Sequence, residues 1–245
     1  MKVALAQINP TIGAFEHNSA KMLHFCETAK KQGADMVIFP DLSLVGYPPL
    51  DLLDKDHFVT DNLSSLKKLA AQIRGITAVV GYVDKNAGVG KPYFNSAAVI
   101  TNSKISSTHH KTLLPSYDVF DETRHFEPAP RLKLAHLDRT AWALTICEDI
   151  WNDKAYWHRR LYARDPLPPL FKKHPAFLVN MSASPFSVGK QKTRQNLLRS
   201  IARKNQVPTL FVNQVGANDA LIFDGGSFVM NTEGNIIGLW QTIKN

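Results

Sequence analysis

The chain has 245 residues, a length that favours one large globular domain with a substantial core. Its net charge is +8. Its basic residues are scattered, with neither an RNA-binding aromatic motif nor an apolar run long enough for a membrane, so we expect neither nucleic acid nor a membrane as partner. Two cysteines exclude a disulfide framework and predict a reducing, cytoplasmic location.

Strand and helix patterns alternate in the first half of the chain. Apolar runs predict strands at 3–8, 36–39, 77–83, 96–101 and 104–108, and amphipathic periodicity predicts helices at 18–31 and 62–74. Cys26 falls among the apolar residues of the first helix, which indicates packing rather than chemistry. Gly88 and Gly90 lie between two strands with no helix after them, so we expect a hairpin turn rather than a dinucleotide loop.

The second half continues the alternation and then ends in β-structure. We predict strands at 142–146, 175–180, 209–213, 221–231 and 235–240, a helix at 191–204, a long irregular segment at 152–169 and a loop at 214–218. The sequence at 231–234 is typical of a hairpin. Alternating strands and helices predict an α/β fold with a central mixed sheet, and no linker or repeat divides the chain.

Cys147 is the first candidate for chemistry. It follows an apolar strand and precedes two carboxylates and a predicted helix, whose N–H groups would favour the thiolate. A nucleophile is one interpretation of this position, and a small buried core residue is the other. The stretch around Cys147 does not by itself decide between them.

Further candidates lie at the ends of other strands. Asp41 directly follows a buried strand, where α/β sheets place functional groups, although aspartate also caps helices and forms turns. The aromatic and charged loop 116–126 suits a pocket wall. His109 and His110 have no further ligands at metal-binding spacing, so we expect them to be structural or solvent-facing and predict no metal.

Four segments together carry a family pattern: FPDLSLVGYPP at 39–49, HKTLLP at 110–115, ICEDIW at 146–151 and NMSASPF at 180–186. In this order and spacing the chain resembles the nitrilase (carbon–nitrogen hydrolase) superfamily. Within it, AQINPTIG at 6–13 and YDVFDE at 117–122 are similar to the glutaminase domain of glutamine-dependent NAD synthetases. The resemblance covers nearly the whole chain.

The resemblance implies a nitrilase-type α-β-β-α sandwich that pairs with a second copy through its helices. It implies one glutaminase-like domain, residues 1–245, without the synthetase half. It also implies a catalytic triad in which Cys147 is the nucleophile, Lys111 is its electrostatic partner, and Asp41 stands where the family has its general-base glutamate.

The same resemblance implies a pocket for the amino-acid end of glutamine. Glu148 would face the substrate amino group, and Ser184 and Lys190 would hold the amino-acid end, with lysine in place of arginine. Tyr117 matches a tyrosine of the pocket wall.

The implied activity is hydrolysis of glutamine through a cysteine thioester, which needs neither metal nor cofactor and would supply ammonia to an NAD synthetase domain or subunit. Two alternatives stay open: an amidase for another small amide or nitrile, and an impaired or non-catalytic relative. The second arises because Asp41 is one methylene shorter than glutamate, roughly 1.5 Å of reach.

Overall fold

The computed structural model describes residues 1–240, so the last five residues of the predicted domain 1–245 lie outside the described residues. Its strands are β1 Val3–Leu5, β2 Met36–Ile38, β3 Thr77–Lys85, β4 Tyr93–Thr101, β5 Lys104–His110, β6 Leu134–Leu137, β7 Thr140–Ile146, β8 Leu178–Ser182, β9 Thr209–Asn213, β10 Val215–Asn218, β11 Leu221–Asp224, β12 Phe228–Met230 and β13 Ile236–Leu239. The α-helices are α1 Phe15–Lys31, α2 Asp56–Gln72, α3 Leu167–Phe171 and α4 Lys190–Asn205. Short 3-10 helices span Leu50–Asp54, Glu122–Arg124 and Cys147–Ile150.

Most of the strands belong to two sheets with a similar construction. The first has the order β1-β2-β3-β4-β5, with β1 to β3 parallel and β4 and β5 antiparallel. The second has the order β13-β12-β9-β8-β7-β6, with β7, β8 and β9 parallel at its centre and antiparallel strands on both sides. The carboxyl ends of the parallel strands therefore meet at one edge of each sheet, which is where α/β proteins place functional groups.

The two sheets pack face to face and are covered by helices on their outer faces. Met36 and Val79 of the first sheet share a buried cluster with Trp142 and Met181 of the second. Residues of α1 and α2 pack on the other face of the first sheet, and residues of α3 and α4 pack on the second. This is the α-β-β-α sandwich that the family resemblance implies.

The prediction of one central mixed sheet from the alternation of elements is therefore wrong. Strands covered on both faces are apolar throughout, so their patterns show burial but do not show which sheet each strand joins.

Two predictions near the end of the chain also need correction. Residues 214–218 are not a loop, because Val215–Asn218 pairs with Leu221–Asp224 as an antiparallel hairpin. The predicted strand 221–231 is interrupted after Asp224 by Gly225 and Gly226, both of which have positive φ. The hairpin at 231–234 is confirmed, because it joins the antiparallel strands β12 and β13.

The other predicted strands and helices are present, but most of them begin or end at other residues than predicted. Helices α1 and α2 start earlier in the chain, and β8 starts at Leu178 rather than at 175. The hairpin turn at 86–92 is confirmed by the antiparallel pairing of β3 with β4. Within residues 1–240, no helix combines the length and the apolar character needed to cross a membrane.

Candidate active site

Cys147 lies at the turn that ends β7 and begins a 3-10 helix. It is buried and has a φ of +42°, in the left-handed region that residues with a Cβ rarely adopt. Two side chains hold the backbone of the turn. The Asn180 side chain donates to the Cys147 carbonyl at 3.2 Å, and Asp149 Oδ2 accepts from the Ile146 N–H at 2.9 Å. Backbone strain of this kind persists where the surrounding structure fixes it and is concentrated at functional sites.

Asp149 joins this turn to the segment that carries Lys111. Its Oδ1 accepts hydrogen bonds from the backbone N–H groups of Thr112 and Leu113, at 2.8 and 2.9 Å. The Lys111 backbone is also paired with the Asn95 carbonyl at 2.9 Å. One buried carboxylate thus fixes the position of Lys111 relative to the cysteine turn.

Asp41 is held by a close approach between its turn and β3. A Cβ on Gly81 would lie 2.3 Å from the Leu42 nitrogen, so only glycine fits at this position of the strand. The Gly81 N–H donates to Ser43 Oγ at 3.1 Å, and the Gly81 carbonyl accepts from the Leu44 N–H at 2.9 Å. The backbone around Asp41 is therefore rigidly positioned.

The ammonium of Lys111 lies between two buried carboxylates. Its Nζ is 2.7 Å from Glu122 Oε1 and 3.5 Å from Asp41 Oδ2, and the lysine side chain is fully buried. Tyr47 also donates to Glu122 Oε1, at 2.9 Å. Within the described part of the chain, neither carboxylate oxygen of Asp41 has a hydrogen-bond partner of standard geometry, although the Asn95 and Lys111 side chains lie close enough to lower its pKa. Lys111 therefore makes its shorter contact with Glu122, whose Oε1 accepts hydrogen bonds from both Lys111 and Tyr47.

Burial dominates the ionisation of this group of residues. It raises the pKa of Asp41 to about 7, with the Lys111 charge opposing and the Glu122 charge adding to the effect. Burial lowers the pKa of Lys111, but the charges of Glu122 and Asp41 outweigh this, so its pKa lies well above the usual value and the ammonium stays charged. The pocket thus contains a permanent cation beside a carboxyl group that titrates near neutrality.

The thiol of Cys147 behaves differently from the sequence-based prediction. Burial raises its pKa to about 12, and the neighbouring Lys111 charge only partly opposes this. The predicted helix is a single 3-10 turn of four residues, too short to favour a thiolate against burial. The thiol is therefore protonated at neutral pH, and a base is needed to activate it.

Glu148 is the centre of a second polar group in the same pocket. Its Oε1 accepts hydrogen bonds from the hydroxyls of Tyr117 and Tyr162, both at 2.9 Å. Burial raises the pKa of Glu148, and the Lys111 charge opposes the rise. This carboxylate lies next to the nucleophile candidate in sequence and shares its electrostatic environment.

Lys190 brings a positive charge to the same side of the pocket. Its Nζ lies 5.6 Å from the centre of the Phe120 ring and 5.8 Å from that of Trp151, within cation–π range. Burial lowers the pKa of Lys190, and the charge of Glu148 is among the groups that oppose this. Aromatic faces and an acid thus support an ammonium that is partly removed from water.

Ser184 is engaged by a buried arginine. Arg194 Nε donates to Ser184 Oγ at 3.2 Å, and its Nη2 donates to the carbonyls of Ser184 and Pro185, both at 3.0 Å. The opposite side of the guanidinium pairs with Asp224 Oδ1 at 2.9 Å. The Ser184 hydroxyl oxygen accepts from Arg194, which leaves its hydrogen for another acceptor.

Most of the predicted site residues influence one another's ionisation: Asp41, Lys111, Cys147, Glu148, Tyr117 and Lys190. Ser184 instead contacts Arg194 and Asn213, and Oδ1 of Asn213 accepts from the Ser184 N–H at 2.9 Å. Sequence reasoning missed Glu122, Tyr162 and Arg194. Glu122 lies in a segment quoted for the resemblance, and Arg194 lies one helical turn after Lys190, but neither position has a local signal of its role.

The other candidates are structural. Cys26 lies on the buried face of α1, in the core, and burial raises the pKa of its thiol to about 12. His110 binds Ser96 Oγ at 2.8 Å, and His109 binds Ser107 Oγ at 3.0 Å. Among residues 1–240, no three histidine, cysteine or acidic side chains are grouped as metal ligands would be.

Comparison with known proteins places the chain in a family. The carbon–nitrogen hydrolase profile matches residues 2–242. The glutamine-dependent NAD(+) synthetase of Synechocystis sp. is 43% identical over 241 residues, covering 96% of this chain and 43% of that protein. The enzyme of the same name from Thermotoga maritima is 37% identical over 240 residues, covering 97% of this chain and 39% of that protein. The chain thus spans less than half the length of these relatives.

Solved structures agree with the sequence comparison. A glutamine-dependent NAD+ synthetase from Acinetobacter baumannii, in complex with ADP, superposes with a TM-score of 0.86 at 34% identity, over 99% of this chain and 44% of that chain. An amidase from Nesterenkonia sp. has a TM-score of 0.80 at 20% identity, over 99% of this chain and 86% of that chain, which shows a common fold. From the profile match over almost its entire length, the chain belongs to the carbon–nitrogen hydrolase family.

Proposed function

We propose that the chain hydrolyses the side-chain amide of glutamine to glutamate and ammonia, with Cys147 as nucleophile. The observation that carries the proposal is the arrangement of a buried thiol, a lysine ammonium 3.5 Å from a buried carboxyl group, and a neighbouring acid and second lysine. The first three groups suit attack on an amide, and the last two suit the charged end of an amino acid.

In the first half-reaction, Asp41 takes the proton of the Cys147 thiol while the sulfur forms a bond to the amide carbon. A pKa of about 7 makes Asp41 a base matched to neutral pH, although an exposed aspartate would be too acidic. The Lys111 ammonium and the backbone N–H of Glu148 stabilise the negative charge on the former carbonyl oxygen. The C–N bond then breaks, and Asp41 returns its proton to the departing ammonia.

In the second half-reaction, water hydrolyses the thioester. Asp41 removes a proton from the water as its oxygen attacks the thioester carbon, and Lys111 again stabilises the oxyanion. The C–S bond breaks, glutamate leaves, and the proton on Asp41 returns to the sulfur. Every proton transfer therefore uses groups that the chain itself supplies.

Glu148 and Lys190 are proposed to recognise the substrate's amino and carboxylate groups. Burying two opposite charges is costly without partners, and a zwitterionic ligand between them would satisfy both. Tyr117 would complete the wall beside Glu148, and Ser184 would donate its free hydroxyl hydrogen to the substrate carboxylate.

The biological setting is part of the same proposal. We propose that the ammonia serves NAD synthesis by a synthetase domain or subunit, that the chain forms homo-oligomers through its helical faces, and that it works in the cytoplasm. The names of the relatives, glutamine-dependent NAD(+) synthetase, support the link to NAD synthesis.

Ammonia release from glutamine tests the function. We expect release by the native chain and by Cys26→Ala, and none by Cys147→Ala, with Cys26→Ala as the control for loss of a buried thiol. A panel of simple aliphatic amides tests the alternative substrate class. Faster turnover of those amides than of glutamine would contradict the proposal.

A second candidate function is ligand binding without efficient turnover. It is favoured by the 3.5 Å separation between Asp41 and Lys111, against 2.7 Å for Glu122, which indicates that the aspartate is short for its position. Glutamine binding without measurable ammonia release would favour this candidate.

A further inference from the structure

The irregular segment 152–166 contributes a side chain to the pocket, although it contains no strand or helix of its own. The segment is closed on itself by Asn152, which is fully buried. The Asn152 amide donates to the carbonyls of Tyr162 at 2.8 Å and Arg164 at 2.7 Å, and its oxygen accepts from the Tyr162 N–H at 3.3 Å. The Asn152 side chain thus takes part in three hydrogen bonds, which fix the backbone at Tyr162 and at Arg164.

The Tyr162 and Tyr117 hydroxyls converge on the same oxygen of Glu148. Each donates to Oε1 at 2.9 Å, from a different loop. Among the described residues, no hydrogen bond is made to Oε2 of Glu148. The carboxylate therefore has one oxygen that is saturated by the protein and one that is available to a ligand.

We infer that Tyr162 is a positioning residue for substrate selection: it holds Oε1 of Glu148 so that Oε2 meets the α-ammonium of an amino-acid amide. This inference rests on the proposed function and names the residue that makes the pocket select for an α-amino group. A charge-assisted hydrogen bond between carboxylate and ammonium is stronger than a neutral one and requires a defined oxygen position.

The position of Lys190 explains why such a restraint is needed. Lys190 carries the opposite charge, and the negative charge of Glu148 raises the pKa of this lysine. Among residues 1–240, they form no ion pair within 4.0 Å. Two phenols on Oε1 restrain the carboxylate, whereas a direct pair with Lys190 would neutralise both groups and close the site to a zwitterion.

The test compares two ligands that differ by one group. Glutamine and 4-carbamoylbutanoate, which is glutamine without its α-amino group, are titrated calorimetrically into the full chain carrying Cys147→Ala, so that no turnover intervenes. The variants Tyr162→Phe and Tyr156→Phe are compared in this background. Tyr156 is the matched control, because it lies in the same segment and its ring packs on Trp157.

We expect Tyr162→Phe to raise the Kd for glutamine about tenfold, the loss of one hydrogen bond to a charged group. The Kd for 4-carbamoylbutanoate should change less than about twofold, and Tyr156→Phe should change neither. An unchanged Kd for glutamine, or equal weakening of both ligands, would overturn the inference. Failure of the glutaminase proposal is a separate result: the native chain would bind glutamine but release no ammonia. If the Cys147→Ala chain that keeps Tyr162 bound no detectable glutamine, both the proposed function and this inference would be overturned.

Discussion

Glu122 Oε1 lies 2.7 Å from the Nζ of Lys111, closer than the aspartate that the family pattern assigns to this lysine. The lysine therefore lies at unequal distances from two carboxylates, and all three side chains are buried. The charge balance of that pocket leads to predictions for stability, for turnover and for pH dependence.

Lys111→Met should destabilise the protein strongly. It leaves Asp41 and Glu122 buried without their cation, and removing one member of a buried ion pair costs about 3–5 kcal/mol. Lys30→Met is the control, since its partner Glu27 is exposed and such pairs contribute about 1 kcal/mol or less. Urea unfolding measures both free energies. Equal stability of the two variants would show that Lys111 does not compensate buried charge.

Asp41→Glu should raise glutamine turnover at least tenfold, equivalent to about 1.4 kcal/mol of barrier. The backbone at Asp41 is fixed by Gly81, so only a longer side chain can bring the carboxylate closer to Lys111 and to the thiol. Asp41→Asn, which has the same length but no basic oxygen, should abolish turnover. Brisk turnover by the native chain, together with slower turnover by Asp41→Glu, would mean that the site is built around aspartate.

The activity should rise with pH through about 7. A base must be deprotonated to act, and burial raises the pKa of Asp41 to about 7, so kcat/KM falls below that pH as Asp41 becomes protonated. The same shift has a consequence for stability. The folded state binds the Asp41 proton more tightly than the unfolded chain does, so this group favours folding at low pH and loses that contribution as pH rises from about 4 to about 7. The pH dependence of kcat/KM checks the first point, and an acidic limb near pH 4 would contradict it.

Gly81→Ala should remove activity and lower stability. The new Cβ would lie 2.3 Å from the Leu42 nitrogen and 2.6 Å from the Pro40 carbonyl oxygen, so the turn that carries Asp41 must move. Displacement of a catalytic group by about 1 Å can cost about a hundredfold in rate. The control is Gly238→Ala, whose Cβ would meet its nearest neighbour at 3.5 Å. Ammonia release and thermal unfolding of both variants decide the matter, and native-like turnover by Gly81→Ala would refute the rigid placement of Asp41.

The sequence predicted the groups that follow strands better than those that lie in loops. Asp41 lies three residues after β2 and Cys147 directly follows β7, and the family pattern added Lys111, so all three could be named as candidates. Tyr162 could not, because its position depends on the hydrogen bonds of Asn152 across an irregular segment. A local pattern does not record such tertiary contacts.

Two other features depend on the fold as a whole. The state of the Cys147 thiol was mispredicted, because burial is a property of the assembled sandwich and outweighs a short helical turn. The division of strands between two sheets was also absent from the local pattern, and only the family resemblance implied it. The apolar strands themselves were largely found, since their burial is visible in composition.

The proposed glutaminase activity depends on Cys147 as the nucleophile for the glutamine side-chain amide. Its most direct test is labelling with a glutamine-mimicking electrophile, followed by mass spectrometry of the peptides that contain Cys147 and Cys26. We expect modification of Cys147 alone, suppressed by excess glutamine and lost in Cys147→Ala. Modification of Cys26 with Cys147 untouched, or labelling of Cys147 that glutamine does not suppress, would contradict it.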